Sequence, residues 1–179
     1  MKNFIFITCS MMVYFGHAQN ISFNDSLLKG AFINAPEVGY TTSFIDLNGN
    51  VSENVDANND GEISVEEAQN IEHIDFSYLP FTDLEGLQFF TNLKTINSWN
   101  SYATTFNFPE LINLETLSLN AVSGQETLVT FDISNNLSLV KLELAAGLTS
   151  TVDLSSNINL RELQIRGGSS TTNINLGNL

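Results

Sequence analysis

A chain of 179 residues with 20 Asp and Glu against 6 Lys and Arg carries a formal net charge of −14. No Lys or Arg occurs between Lys29 and Lys94, and the densest run of carboxylates, from Asp46 to Glu85, lies inside that gap. Such a surface repels nucleic acid and anionic lipid, and it favours solubility and divalent cations, which argues against a nucleic-acid partner.

Met1-Lys2 makes a short basic start, and Phe4 to Phe15 is an apolar run too short for the roughly 20 residues of a membrane span. Gly16 and Ala18 then fit the −3 and −1 positions of a cleavage site. Residues 1–18 therefore read as a signal peptide. The mature chain is expected to begin at Gln19, to carry no membrane span and to reach the extracellular space or the outer cell surface. Cys9 leaves with the signal, so the remaining chain of about 160 residues has no disulfide and must rely on core burial, backbone ladders and a metal.

Residues 19–70 are expected to form a helical cap. Asn24 suits an N-cap, with Phe23 and Leu28 stapled across it, and Leu27, Leu28, Ala31 and Phe32 fall on one helical face before Pro36. Pro36, Gly39 and Gly49 among scattered Thr, Ser and Asn make 36–55 a loop.

Residues 56–67 meet the EF-hand pattern at every defined position. Asp56, Asn58 and Asp60 offer side-chain oxygens at positions 1, 3 and 5, and Gly61 permits the turn at 6. Glu62 offers its carbonyl at 7, Ser64 can hold a water at 9, and Glu67 can bind through both oxygens at 12. The expected cofactor is Ca2+, in a structural rather than a sensor role, with affinity of about 0.1–1 mM. A compatible plainer reading makes Ser64 and Glu67 a capping box for a helix starting near Val65. Asp46, Asn48 and Asn50 could supply one partial second site.

From residue 71 the chain is periodic. Ile71-x-x-Ile74-x-Phe76 is followed by Leu93-x-x-Ile96-x-Ser98, Leu114-x-x-Leu117-x-Leu119, Leu139-x-x-Leu142-x-Leu144 and Leu160-x-x-Leu163-x-Ile165. The leading residues stand about 21 to 25 apart, inside the leucine-rich-repeat window. Asn92, Asn113 and Asn159 each precede a leading Leu. A second alternating pair recurs as Phe106/Phe108, Phe131/Ile133, Val152/Leu154 and Ile174/Leu176, always around Asn or Asp. Each coil is thus expected to give two short strands that pair with their equivalents in the next coil. Leu179, with Asn178 before it, is read as the leading position of a further coil, so a longer parent chain is expected.

The sequence resembles the secreted leucine-rich-repeat proteins of the Bacteroidetes that carry an EF-hand- or dockerin-like calcium loop near the N-terminus. The resemblance rests on His17-Ala18-Gln19, the calcium loop, and Thr82-Asp83-Leu84-Glu85-Gly86-Leu87 running into Thr91-Asn92-Leu93. The phrases Asp132-Ile133-Ser134-Asn135-Asn136 and Asp153-Leu154-Ser155-Ser156-Asn157 add to it. It implies a solenoid, surface placement and often a C-terminal sorting domain of the type IX route, which this sequence does not contain. The sequence departs from the family where Val122, Gly147 and Gly168 replace the usual Asn after the first strand. The expected class is therefore α+β leading into a β-solenoid: a short helical cap with a calcium loop, then leucine-rich repeats over 71–179 in about five coils.

No catalytic residue is assigned. His73 is the one histidine after the signal, at an outward strand position, and no Gly-x-Ser-x-Gly elbow is present. The expected role is binding of an extracellular protein or glycan. The alternatives are a carbohydrate-active parallel β-helix enzyme, whose basic residue Lys141, Arg161 or Arg166 would lie far from the loop in sequence, and a structural spacer. Candidate ligand contacts are Asn97, Trp99, Tyr102 and Asn120. Two placements of Trp99 stay open: outward among polar neighbours, or inward after a one-residue slip that Ser98 at an apolar position would signal.

Overall fold

Alternation of apolar and polar residues sends one face of each repeat strand inward, and equivalent strands of successive coils become neighbours. The computed structural model describes residues 19–33, 41–77, 79–121, 128–145, 151–166 and 173–177. The expected signal segment, Val122, Gly147, Gly168, Leu179 and the loop positions Pro36 and Gly39 lie outside them. The cap comprises helix α1 (Ser26–Ile33), strands β1 (Thr41–Asp46) and β2 (Val51–Ser52), and helix α2 (Val65–Gln69). The repeats follow as β3 (Ile71–Ser77), a 3-10 turn at Leu87–Phe89, β4 (Thr95–Ser101), β5 (Thr105–Asn107) and β6 (Thr116–Ala121). They continue as β7 (Thr130–Asp132), β8 (Lys141–Ala145), β9 (Val152–Asp153), β10 (Glu162–Arg166) and β11 (Ile174–Asn175).

The architecture is mostly β, a solenoid of about 4 turns with 2 helices. One 7-stranded sheet runs β10-β8-β6-β4-β3-β1-β2. Its repeat strands pair parallel, in the expected register: Ile74, Ile96, Leu117, Leu142 and Leu163 form one inward column, and Phe76, Ser98, Leu119, Leu144 and Ile165 the next. The expected second strand is present in the four coils from Leu93 on, but as two separate pairs, β5 with β7 and β9 with β11, rather than one continuous face.

Side-chain donors tie the coils together. Asn92, Asn113 and Asn159 donate through Nδ2 to the carbonyls of Gln69, Thr91 and Leu137, at 2.8, 3.0 and 2.9 Å. In the coil that lacks this Asn, Ser138 Oγ donates to the Ile112 carbonyl at 2.7 Å. Deeper in, Asn136 Nδ2 donates to Phe108 and Leu111, and Asn157 Nδ2 to Ile133 and Asn136. Asp132, Asp153 and Asn175 each accept from the backbone N–H two residues on, as short Asx side chains do at corners.

The cap departs from the expectation in two ways. The segment read as a loop holds the β1–β2 hairpin, and β1 pairs antiparallel with β3, so the hairpin closes the first edge of the repeat sheet. At the hairpin turn Asp46 Oδ1 accepts from the N–H groups of Asn48 and Asn50 and its Oδ2 from Asn50 Nδ2, which shapes the turn. Those Asn50 and Asn48 bonds hold the Asp46 carboxyl below its ordinary value. Secondly, the α1 cap is Asp25 rather than Asn24. Asp25 Oδ1 accepts from Leu27 N at 2.8 Å and Leu28 N at 3.3 Å, and Asn24 Nδ2 instead donates to Asp83. Leu28, Ala31 and Phe32 are buried as expected, while Leu27 is exposed.

Asp25 works in two places. Its Oδ2 accepts from the N–H and hydroxyl of Thr82, at 2.8 and 3.2 Å, so one carboxylate caps the helix and clasps the start of the repeats. Beside the clasp Phe23 lies flat against Gly86, whose backbone has φ +113° and where a Cβ would stand 2.4 Å from the ring, so only glycine fits. Phe32 sits at the centre of the cap, with ring centroids of Phe23, Phe44, Phe76 and Phe90 at 5.3, 5.6, 5.7 and 4.8 Å.

Partial burial pushes the Asp25 carboxyl up, but the bonds from Thr82, Leu27 and Leu28 together outweigh it and hold the group below its ordinary value of 3.8. A carboxyl depressed on folding contributes stability above the unfolded value and loses it as pH falls through the lower folded one. Asp25→Ala is therefore expected to cost about 1–2 kcal/mol near neutral pH, as loss of an N-cap does. The gap between parent and variant should narrow below about pH 3.8, where both states take up the proton. Urea denaturation at pH 6.5 and pH 3 measures both.

Candidate calcium loop and outer sheet face

The loop over 56–67 is built by its own carboxylates. Asp56 is 3 % exposed, and its two oxygens accept from Asp60 N at 3.1 Å and Gly61 N at 2.9 Å. Asn58 Oδ1 accepts from Asp60 N, and Asp60 Oδ1 from Glu62 N, both at 2.8 Å. The chain turns sharply through positive φ at Asn59 (58°) and Gly61 (80°). Glycine takes such a φ without strain, which is why it stands at the sixth position. Ile63, between the ligand positions, is fully buried and anchors the loop to the core.

Glu67 reaches back over the loop. Its Oε1 accepts from Ala57 N at 2.9 Å and Asn58 N at 3.3 Å, and its Oε2 accepts from Ser64 N and Oγ at 2.9 and 2.8 Å. Glu67 N in turn donates to Ser64 Oγ, so the capping box of α2 is formed. One glutamate thus closes the loop's first residues onto its last.

The lead before α1, read from sequence only as a lead, joins this loop as a strand. Ile21 N donates to the Ile63 carbonyl at 2.8 Å and Val65 N to that of Gln19 at 2.9 Å, around an antiparallel bridge between Asn20 and Ser64. The Phe32 carbonyl at the end of α1 accepts from Val55 and Asp56. Lys29 Nζ stands 2.7 Å from Glu62 Oε1, the one basic side chain brought to an otherwise acidic loop. A cleft of about 710 Å³ lies alongside, between Leu47 of the hairpin turn, Val55, Glu66, Glu67, Asn70 and Ile71.

The donor set is chemically that of a hard cation: carboxylate, amide, hydroxyl and carbonyl oxygens without nitrogen or sulfur. The Asp56 and Asp60 oxygens that accept one N–H keep a second lone pair, whereas each Glu67 oxygen already accepts two hydrogen bonds, so Glu67 would exchange some of these for an ion. Among the described residues no three His, Cys, Asp or Glu side chains stand together as a ready-made cage. The loop's acids are instead turned to its N–H groups, and half of the expected ligand set is Asn, Ser and main chain.

On the sheet, Trp99 pairs in register with Ser77 on one side and Asn120 on the other. It is 48 % exposed, so the outward placement holds. A register shift does occur, but between Trp99 and Ser101, beyond the tryptophan. Ser98 is buried in the inward column, 1 % exposed, and its hydroxyl has no partner. Asn97 is half-buried on the outer face. Asn120 is corrected: though on the outer face, it is only 6 % exposed, donates through Nδ2 to the equally covered Ser118 Oγ at 3.0 Å, and is unavailable to a ligand. Its place in the middle of the sheet, flanked by the strands carrying Trp99 and Ala145, covers it. Tyr102 is half-buried past the shift, with its N–H on the Phe81 carbonyl. His73 lies 3.6 Å from Glu72, which is held below its ordinary value by its bond with Lys94. No helix among the described residues is long and apolar enough to cross a membrane.

No protein-family model matches the chain, and no curated protein matches it.

The orphan Ser98 hydroxyl makes a direct test of the register. A buried hydroxyl without a partner costs about 1–3 kcal/mol of desolvation. Ser98→Ala is therefore expected to raise stability by about 1 kcal/mol, read as a higher midpoint in thermal denaturation. A lower midpoint would mean that Ser98 makes a bond and that β4 is differently registered.

Proposed function

We propose that this chain is a secreted leucine-rich-repeat binding module, stabilised by one calcium ion in the cap, that takes an extracellular protein or glycan on its outer sheet face. The observation that carries it is Trp99, a large aromatic held 48 % exposed on a rigid, in-register strand, with half-buried Asn97 two residues before it on the same face. A tryptophan has no folding reason to stand there, whereas a flat apolar ring beside a partly exposed amide suits a sugar face or a protein loop. The secretory start of the sequence and its resemblance to surface repeat proteins support the same placement.

In this reading Asp56, Asn58 and Asp60, the Glu62 carbonyl, Ser64 through a water, and both oxygens of Glu67 would hold Ca2+. The ion would neutralise a loop whose basic neighbour among the described residues is Lys29. It would also fix the segment that the Gln19–Ile21 strand and the Phe32 carbonyl lean on. Its role is therefore to stiffen the cap, not to act on a substrate.

Binding only to the folded state raises stability by mass action. With an affinity of about 0.1–1 mM, 5 mM calcium contributes about 1–2 kcal/mol, or a rise of about 2–8 °C in Tm. An unchanged Tm between EDTA and calcium, or an Asp56→Ala variant that responds as the parent does, would remove the metal from the account.

The ligand face has its own test. Trp99→Ala is expected to change stability by less than about 1 kcal/mol, because the ring is half in solvent, and to weaken binding tenfold or more. Neutral polysaccharides and intact cells serve as probes, with binding read by affinity electrophoresis and fluorescence. A loss of several kcal/mol, the range of a core tryptophan, would overturn the binding reading.

A further inference from the structure

We propose that the cleft between the hairpin turn and α2 is a second binding site, which takes a short extended segment of a protein partner through a basic side chain next to a branched apolar one. The site is separate from the outer sheet face and does not use Trp99. Its walls are already joined: Leu47 N on the hairpin turn donates to the Asn70 carbonyl at the end of α2 at 2.9 Å, so no closure is needed to form it. At about 710 Å³ the cleft falls among sites that bury a drug-sized ligand, roughly three residues of peptide. Val55 and Ile71, only 4 % and 5 % exposed, make an apolar floor, and Leu47 stands at the lip, 50 % exposed.

The α2 side of the cleft is polar. Among the described residues the side chains of Glu66, Gln69 and Asn70 make no hydrogen bond or ion pair, and all three border the cleft. The lysines on either side in sequence are taken, Lys29 by Glu62 and Lys94 by Glu72, and no other Lys or Arg lies between them. Glu66 therefore sets a negative charge beside apolar surface, with no described cation of its own chain against it. A Lys or Arg side chain answers both features, because its aliphatic stem lies along apolar surface while its charged head reaches a carboxylate. Gln69 and Asn70 each present amide donors and an acceptor, the complement of the C=O and N–H groups of an extended peptide.

The same features turn other ligands away. An acidic segment meets Glu66 and the carboxylates of the neighbouring loop. A purely apolar one takes water from Glu66 and returns no hydrogen bond. A bare metal ion gains nothing from Leu47, Val55 and Ile71, and a nucleic acid is repelled by a chain of net charge −14.

The test is selection of phage-displayed random heptapeptides on the purified full chain at about 0.15 M salt, where the Debye length is about 8 Å and attraction by net charge alone is short-ranged. Selected sequences are remade as fluorescein-labelled peptides and titrated by fluorescence anisotropy. The expected sequences carry Arg or Lys next to Leu, Ile or Val. Glu66→Lys should weaken their binding tenfold or more, and Glu66→Gln by less. Leu47→Asp is the decisive variant. It makes the chain more acidic, so binding by net charge would strengthen, whereas binding in the cleft should weaken at least tenfold. Trp99→Ala should leave the affinity unchanged, which keeps this outcome distinct from that of the outer face. Circular dichroism checks that each variant is folded. No enrichment, enrichment of acidic sequences, or basic peptides whose affinity ignores Glu66→Lys or rises with Leu47→Asp would each overturn the proposal.

Discussion

Every coil returns a side-chain donor to the coil before it. The bend before each of four sheet strands leaves one carbonyl for a side chain further along the chain to reach. The side-chain donors of Asn92, Asn113, Ser138 and Asn159 fill that gap at 2.7–3.0 Å. These bonds lie at exposed bends and contribute about 0.5–1.5 kcal/mol each, and the donor keeps its place whatever the length of the coil around it. The coil between Leu114 and Leu139 is the longest of the set. It nevertheless keeps its donor in Ser138, and its strands stay in register with those on either side.

The deeper pair, Asn136 and Asn157, shows what such a ladder is for. Each Nδ2 serves two carbonyls, yet each Oδ1 is buried without a partner. Two net hydrogen bonds at about 0.5–1.5 kcal/mol each are offset by one unsatisfied acceptor at about 1–3 kcal/mol. The balance is near zero. What the amides provide is discrimination: a coil slipped by one residue would lose both bonds and still bury the amide. The same position holds Leu111 one coil earlier, where the core is closed by Phe106 and Phe108 packed edge to face at 5.1 Å.

These features divide what a reader of the sequence can see from what stays hidden. The repeat register was legible because two independent signals, the leucine spacing and the Asn before each leading Leu, agreed, and both have a physical cause in the stack. The sharp turn at Gly61 and the capping box of Ser64 and Glu67 were legible because each demands particular residues at particular intervals. The β1 and β2 strands were not legible: Thr41-Thr42-Ser43-Phe44 carries only one large apolar residue in four, and its pairing with β3 is a tertiary fact. Asp25 and Asn24 are both good caps, and the choice between them was made by Thr82, 57 residues away. Asn120 was misjudged for a related reason. Strand alternation tells which face a side chain takes, but not whether its neighbours on that face leave it in water.

The two ends of the stack then differ in kind. At the first end the direction of the chain reverses. Antiparallel β1 lies on β3, β2 shortens the edge to two residues, and the rings around Phe32 seal the opening from inside. Reversal is what makes this closure possible, since a parallel strand would only present the same open edge one step further out. In β10 the parallel order persists, in register with β8 over five residue pairs. The side chains there alternate between core-type and charged: Leu163 and Ile165 inward, Glu162 and Arg166 outward. A strand meant only to face solvent is protected by shortness, by proline or by a charge pointing inward. Leu163 and Ile165 of β10 instead continue the inward columns of the coils before it, and Glu162 meets Lys141 of β8 across the outer face.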